Sequence, residues 1–550
     1  ASWAAVFDDG SNTSSGAVAG YDLRWTTNAI NPALTEASFF DSTKFKQHTG
    51  ALLAGTSATL AVPPLTTYSV SVRAVDEVGN YSAFAAPATL TNEWTATVLP
   101  LTGASGGESG LPLAVADVIG DGTNDIIIGA ENANGGEGAV FVYTGVNGGV
   151  PSSVTQIDPP SPSAGQNYGY RLSAGNFLGA AGDTRADLLV AALNYSAPGS
   201  PTGFEGRVMG YAGPVSTGAA PDFIITGDPG MTLGGASVSV IPDLNGDGLG
   251  EVLIADPFAM DATFTRFPGA YYLFFGRAPT GTTTQLTVAN ADRVILGPDN
   301  ASFDFTSFGV NSGCVSVGDI TGGGAPEFTL AASSANLNEV YLVSGEQLFS
   351  GGASQSVYDT GSGTPVLQTY ASTVNGGSAF DPLGLGTAAL GGVNLVGGSG
   401  VDLALSVAAA NEVRLYRDAT ASGLTADVIV RGAVGANTAF GSVLAAGNLD
   451  GDAAGQLDLL VGEASAAARS LWFFFGQGAP GSSSLGATTE VPAEGQRLLA
   501  GSGFNQARLT SPGLNGARAA VADVNGDGLP DVIAVGYDAA ANTARIHVWH

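Results

Sequence analysis

Basic residues are scarce in this sequence. Among its 550 residues, 18 lysines and arginines stand against 48 aspartates and glutamates, and the formal net charge is −30. Lys44 and Lys46 are the only lysines. Because the sequence has no basic patch to hold phosphate groups, we expect no nucleic acid partner. Charged residues make up only 12% of the chain, so small polar and small apolar residues must cover much of the surface.

Cysteine and long apolar runs are also scarce. The single cysteine, Cys314, excludes an internal disulfide framework, and its apolar neighbours predict a buried strand. No apolar run approaches the length of about 18 residues that a membrane-spanning helix needs, so we expect no transmembrane segment. The sequence starts without methionine or a signal peptide. We therefore expect an export signal to have been removed from a secreted or cell-surface protein of bacterial type.

Glycine and short acidic loops are abundant. Seven loops start at residues 117, 176, 243, 319, 394, 448 and 523, and each leads into a run of small and branched apolar residues. The two best copies read DLNGDGLGE from Asp243 and DVNGDGLPD from Asp523. Oxygen-bearing side chains at positions 1, 3, 5 and 9 suit calcium, which prefers oxygen ligands. An EF-hand is excluded, because the helical lead-in and the acid at position 12 are missing.

Asp, Asn and Gly also form ordinary turns, so any single loop could be a turn without a metal. Seven copies in register favour calcium. The predicted ligands are Asp117, Asp121 and Asp125; Asn176, Asp183 and Asp187; Asp243, Asn245, Asp247, Glu251 and the carbonyl of Leu249; Asp319, Thr321 and Glu327; Asn448, Asp450, Asp452 and Asp458; Asp523, Asn525, Asp527, Asp531 and the carbonyl of Leu529.

The fourth loop has Gly323 where the others have a central acid, and the fifth keeps only Asn394 and Asp402. We expect the fifth loop to be empty and three to five Ca²⁺ ions to bind in all. These ions would reduce the repulsion among the loop carboxylates, so calcium is predicted to stabilise the fold.

Each repeat predicts four antiparallel strands. One begins near an FG-like pair such as Phe440-Gly441, one directly follows the loop, and two more come after it. Fourth strands are predicted from Val154, Phe223, Arg293, Val366, Asp427 and Arg497. The seventh repeat stops at His550 without a fourth strand, and residues 95–103 are predicted to supply it and close a ring. The all-β fold expected for residues 95–550 is a seven-bladed β-propeller.

An FG pair, an acidic loop and a following apolar triplet resemble the FG-GAP repeat of the integrin α-subunit propeller. The resemblance covers roughly residues 95–550. It implies calcium sites on one face of the ring and a ligand surface elsewhere. The chain has no RGD tripeptide and no inserted metal-dependent adhesion domain, so the resemblance does not extend to integrin-style recognition.

Residues 1–92 show alternating strands without a calcium loop. Trp3 and the corner from Leu65 to Tyr68 resemble an Ig-like β-sandwich of fibronectin type III. Its second strand, ASWAAVF, has no first strand before it. We expect either a processed or truncated chain, or a sandwich completed by a strand from another chain.

The sequence favours an extracellular, calcium-stabilised binding or adhesion protein whose propeller meets a protein or glycan partner. The alternative is a structural subunit of a filament or sheath that binds copies of itself by strand addition. A third hypothesis is a propeller enzyme acting on polysaccharide. We expect no enzyme, because His48, His547 and His550 have no zinc-binding spacing and no carboxyl pair is marked for catalysis.

Overall fold

A computed structural model of the chain defines the fold. It describes residues 18–26, 46–47, 52–57, 66–86, 88–92, 96–100, 112–145, 151, 153–179, 183, 185–200, 203–230, 233, 237–257, 259, 268–297, 307–308, 314–333, 338–350, 354–356, 366–371, 389–393, 395, 401–407, 411–416, 428–431, 440–449, 457–464, 469–475, 489–490, 505–510, 518–538 and 543–549. The chain divides into two compact units between Thr95 and Ala96.

The N-terminal unit contains an antiparallel four-stranded sheet. Its strand order is Lys46–Gln47, Gly20–Thr26, Thr66–Val75 and Ala88–Asn92. Buried Asp22 and Arg73 form an ion pair of 2.8 Å across the two central strands, and the Arg73 guanidinium lies 3.9 Å from the ring centre of Tyr81. The fibronectin type III-like sandwich stays a prediction, because Trp3 and the ASWAAVF segment lie outside the described residues.

The second unit is built from seven antiparallel sheets, which we number blades 1 to 7. Their first to fourth strands are Leu113–Ala116, Asp125–Ala130, Ala139–Thr144 and Ser153–Ile157; Tyr168–Gly175, Asp187–Ala192, Arg207–Tyr211 and Phe223–Thr226; Val238–Ile241, Glu251–Asp256, Ala270–Phe274 and Arg293–Leu296; Ser307–Phe308 with Val315–Gly318, Glu327–Ser333, Asn338–Val343 and Val366–Ala371; Ala389–Val393, Asp402–Val407, Glu412–Tyr416 and Val428–Arg431; Phe440–Gly447, Asp458–Ala464, Arg469–Phe475 and Asn505–Thr510; Arg518–Ala522, Asp531–Asp538, Thr543–Trp549 and Ala96–Pro100.

The sheets form a closed ring. First strands of neighbouring blades contact one another at six junctions, including that of blades 7 and 1, and a buried cluster joins blades 3 and 4. The last strand of the chain, Thr543–Trp549, pairs antiparallel with Ala96–Pro100. This pairing confirms that the start of the second unit supplies the outer strand of blade 7. The all-β fold is a seven-bladed β-propeller, as predicted.

The apolar core lies between the blades. Separate clusters of buried side chains join blade 7 to 1, 1 to 2, 2 to 3, 3 to 4, 4 to 5 and 5 to 6. The second strand of each blade is packed on both faces, and Ile126, Ile127 and Ile128 are all 0% exposed. A strand buried on both faces needs a continuous apolar run, which is the pattern that follows each loop in the sequence.

Two of the predicted FG-like pairs, Tyr168-Gly169 and Phe440-Gly441, lie where one blade meets the next. Tyr168 and Phe440 start the first strands of blades 2 and 6 and are fully buried. Gly169 has a φ of +87°, and a Cβ atom there would lie 2.7 Å from the carbonyl oxygen of Ala139 in blade 1. Glycine is therefore required both for the backbone conformation and for the close approach of the two blades.

Within the described residues, three blades gain a fifth strand that the sequence did not predict. Thr284–Thr287, Ser354–Ser356 and Thr489–Glu490 pair in parallel with the outer strands of blades 2, 3 and 5. Each comes from the connection between the third and fourth strands of the next blade, and we call these segments straps. A strap links two blades and covers a sheet edge.

One strand prediction was wrong. The third strand of blade 6 pairs with Asn505–Thr510, whereas the sequence predicted the outer strand from Arg497. Arg497 itself lies outside the described residues. The two segments resemble each other, since RLLA from Arg497 and ARLT within Asn505–Thr510 share an Arg-Leu pair.

Helices are few and short in the described part of the chain: Ala133–Gly136, Val288–Asn290 and Gly345–Ser350. None of these is long and apolar enough to cross a bilayer. Cys314 directly precedes the strand Val315–Gly318 and packs against the cluster between blades 3 and 4. Burial raises the pKa of its thiol, as suits a residue that packs as a small hydrophobe.

Candidate calcium-binding loops

Each acidic loop joins the first strand of a blade to the second, so all seven emerge on one face of the ring. The last acid of the loop is the first residue of the second strand in every blade. These seven acids are at most 2% exposed: Asp125, Asp187, Glu251, Glu327, Asp402, Asp458 and Asp531. Loop and strand are thus joined at a buried carboxylate.

The buried carboxylate closes its own loop. In all seven blades, one of its oxygens accepts the backbone N–H of the residue at loop position 2, at 2.6–2.9 Å. That residue is apolar and points inward, as in Val118 and Val524, both 0% exposed. Sequence reasoning assigned these acids to calcium and missed this structural role, although the apolar residue at position 2 recurs in every copy.

The first acid organises four of the loops. In the third loop, Asp243 Oδ1 accepts the N–H groups of Asn245, Gly246 and Asp247, and its Oδ2 accepts that of Gly248. Similar bonds reach Asp117, Asp319 and Asp523. The turn is therefore formed by the protein alone, with left-handed glycines at positions 4 and 6 in the third loop.

The third loop has an electrostatic imbalance. Glu251 is completely buried; its Oε2 accepts the Leu244 N–H, but its Oε1 has no hydrogen-bond partner. Burial, with the nearby charges of Asp243 and Asp247, raises the pKa of Glu251 from 4.5 to about 8. A cation is the group that would satisfy such a carboxylate, because buried charges need a partner of opposite sign.

The orientation of the Asn245 amide also affects whether the third loop can bind calcium. Its Nδ2 donates to Asp247 Oδ2 at 3.0 Å, and the Leu249 N–H donates to Asp247 Oδ1 at 2.8 Å. To ligate calcium, Asn245 must turn its amide oxygen toward the carboxylates, since cations bind oxygen. The donor set of the third loop therefore fits Ca²⁺ after a local rearrangement.

The seventh loop repeats this arrangement, but here the buried acid has a hydrogen-bond donor near its second oxygen. Asn525 Nδ2 donates to Asp527 Oδ2 at 3.2 Å and lies 3.4 Å from Asp531 Oδ1. Leu529 donates its N–H to Asp527, but its side chain is 61% exposed, whereas that of Leu249 is 5% exposed. The ligand roles predicted for the two leucine carbonyls remain predictions.

The carboxylates of the second loop are satisfied within the protein, whereas the buried Oδ1 of Asn176 has no hydrogen-bond partner. Asp187 accepts N–H groups from Phe177, Leu178 and Gly213, and Asp183 forms a 2.8 Å ion pair with Arg185. Burial nevertheless raises the pKa of Asp187 to about 6. Calcium would have to displace Arg185 there, so this loop fits the ion less well than the third.

In the first and fourth loops, the predicted ligands also take part in hydrogen bonds within the protein. Asp121 is exposed, and Asp125 accepts the N–H groups of Val118 and Ile119; burial raises its pKa. In the fourth loop, the Thr321 hydroxyl donates to Glu327 Oε1 at 3.0 Å.

The fifth and sixth loops are described only in part. Asn448 and Asp458 flank the sixth loop, and its central Asp450 and Asp452 lie outside the described residues, as does Asn394 of the fifth. Across the part of the chain that the structure describes, no three acidic, histidine or cysteine side chains are already arranged to hold a metal. Calcium binding therefore stays a prediction for the six loops with predicted ligands, as does the empty state of the fifth.

A comparison with protein families bears on the last blade. Residues 515–549 match the FG-GAP repeat. This stretch contains the seventh loop and the first three strands of blade 7, and the other blades share its order of strand, acidic loop and buried strand. Among curated proteins, none matches the chain significantly.

Proposed function

We propose that this chain is a calcium-stabilised binding or adhesion protein that works outside the cell. The observation that carries the proposal is the buried Glu251 carboxylate, which keeps one oxygen without a hydrogen-bond donor beside two further acids. A bound Ca²⁺ would supply the compensating positive charge. Asp243, Asn245, Asp247 and Glu251 would hold it, and the equivalent residues of the seventh loop would hold a second ion.

Several features support a location outside the cell. Extracellular modules bind calcium with Kd values of about 10⁻⁴–10⁻³ M, so sites of modest affinity suffice in that setting. Asp247 and Asp527 are both exposed. The FG-GAP repeat adds an analogy with extracellular propellers, whose surfaces bind proteins or glycans. We assign no catalytic step: His547 is 3% exposed and stacks on Trp549, which suits a packing role.

The test is the unfolding of the chain with Ca²⁺ and with EGTA. At a calcium concentration ten times Kd, each occupied site should add about 1.4 kcal/mol to the free energy of unfolding. Glu251→Gln should remove a measurable part of the calcium effect, because the amide keeps an acceptor for Leu244 but lacks the charge.

The matched control is Asp402→Asn, the same change of acid to amide in the loop expected to be empty. It should leave the calcium effect unchanged. Equal stability in Ca²⁺ and EGTA for the unmodified chain, or an equal loss of the calcium effect in both variants, would contradict the proposal.

A further inference from the structure

Connection length decides which blades receive a strap. The connections that supply straps span residues 275–292, 344–365 and 476–504, which are 18, 22 and 29 residues long. Those of blades 1, 2 and 5 span 145–152, 212–222 and 417–427, only 8 or 11 residues, and supply no strap among the described residues. Since blade 2 has a short connection, the outer edge of blade 1 has no described fifth strand.

The outer strand of blade 1, Ser153–Ile157, has the features of an accessible edge. It contains no charge and no proline, which are the usual protections against pairing with another chain. Val154 is 48% exposed. In blade 2, where a strap covers the equivalent edge, Ile224 lies on the same face of its blade as Val154 and is only 6% exposed.

The chain itself indicates what fits such an edge. The straps on blades 2 and 3 read TQLT and SQS, which are uncharged and rich in serine, threonine and glutamine, whereas the two-residue strap on blade 5, TE, carries one glutamate. Both run parallel to the strand that they cover. Leu286, the one apolar residue of TQLT, pairs with Ile225 and packs on the cluster between blades 2 and 3. A strap thus combines backbone pairing with one apolar contact.

We propose that the outer edge of blade 1 binds, as a parallel fifth strand, a short uncharged Ser/Thr/Gln-rich segment of another polypeptide. Main-chain hydrogen bonds supply affinity in this mode, and alternate side chains supply selectivity. An apolar residue at the centre of the segment covers Val154. A net charge of −30 disfavours acidic segments. This inference deepens the proposed binding function by naming one class of partner, and it concerns the rim of the ring.

The test uses a labelled peptide with the sequence of residues 282–289, TTTQLTVA, added to the full chain and followed by fluorescence anisotropy. We expect saturable binding. A peptide with methyl groups on alternate backbone nitrogens should bind at least about tenfold more weakly, because it cannot donate to a strand edge. Val154→Lys should weaken binding of the unmodified peptide by about tenfold, whereas Val78→Lys, at a valine that is 83% exposed, should not.

Three results would overturn this inference: no saturable binding, equal binding of the methylated peptide, or an equal effect of the two lysine variants. Dimerisation of the chain alone that Val154→Lys abolishes would also overturn it, since a second copy would then be the occupant. Titrations in Ca²⁺ and EGTA keep the two proposals apart. If calcium stabilises the chain but the peptide does not bind, only the edge site is refuted. If the peptide binds but calcium does not stabilise the chain, only the calcium sites are refuted.

Discussion

The buried acid that ends each loop stabilises the loop before any metal binds. Asp402 shows this most clearly, because its loop has lost most of the predicted ligands, yet the carboxylate still accepts the Leu395 N–H at 2.7 Å. A buried N–H without an acceptor destabilises a protein by about 1–3 kcal/mol, which is reason enough to keep the acid. Counting acids in the sequence therefore overestimates the evidence for calcium, and Glu251 Oε1 is the more specific indication.

Stability of the calcium-free protein should fall as pH rises from about 4.5 to about 8. In this window the folded state keeps a proton on Glu251, whose pKa is about 8, while the unfolded state has released it. The unfolded state is therefore favoured increasingly, by about 1–3 kcal/mol over the whole window. Unfolding of the decalcified protein in calcium-free buffer across this range should show a smaller fall for Glu251→Gln, since the amide does not titrate. In saturating Ca²⁺ the carboxylate stays ionised, and the difference between the two proteins should shrink.

The comparison of the two proteins isolates Glu251, because Asp187 and the other acids titrate in both. Parallel pH profiles for the original chain and Glu251→Gln in calcium-free buffer would contradict the assignment of a buried, protonated Glu251.

At the scale of elements, the position of a strand in its blade decided how well the sequence predicted it. Second strands were predicted well, since burial on both faces imposes a continuous apolar run such as Ile126–Ile128. The outer strand of blade 6 was misplaced, because outer strands are short and RLLA from Arg497 resembles ARLT within the observed strand, Asn505–Thr510. The straps have no apolar period at all: TQLT becomes a strand because the edge of blade 2 offers it hydrogen bonds.

The FG glycines allow neighbouring blades to approach. Gly169→Ala should lower the free energy of unfolding by about 2–5 kcal/mol, because it combines an unfavourable positive φ with a Cβ atom 2.7 Å from Ala139 O. Gly165→Ala is the matched control: its φ is +80°, but a Cβ there has open space, so only about 1–2 kcal/mol should be lost. Denaturant unfolding of both variants measures the difference. Equal losses would mean that backbone conformation, and not blade packing, requires the FG glycine.

At the scale of the whole molecule, ring closure was predictable from the number of strands in each repeat. Seven loops but only six following outer strands left one strand to be found before the first loop, and Ala96–Pro100 occupies that place. The calcium sites were less predictable, since the same Asp, Asn and Gly residues make a hydrogen-bonded turn with or without an ion.

Closure by Ala96–Pro100 should hold the ring together. A chain starting at Ala96 keeps this strand, and a chain starting at residue 101 loses both its pairing with Arg545–Trp549 and the Leu99 side chain, which is 5% exposed between blades 7 and 1. Loss of a buried leucine side chain alone destabilises a protein by about 2–5 kcal/mol. We therefore expect the longer chain to unfold in one transition, and the shorter one to melt at a lower temperature and to aggregate through its open edge.

Calorimetry and size-exclusion chromatography compare the two chains, and Leu99→Ala in the full protein supplies a milder variant that keeps the backbone pairing. If both truncated chains melt alike as monomers, the strand is not what closes the propeller.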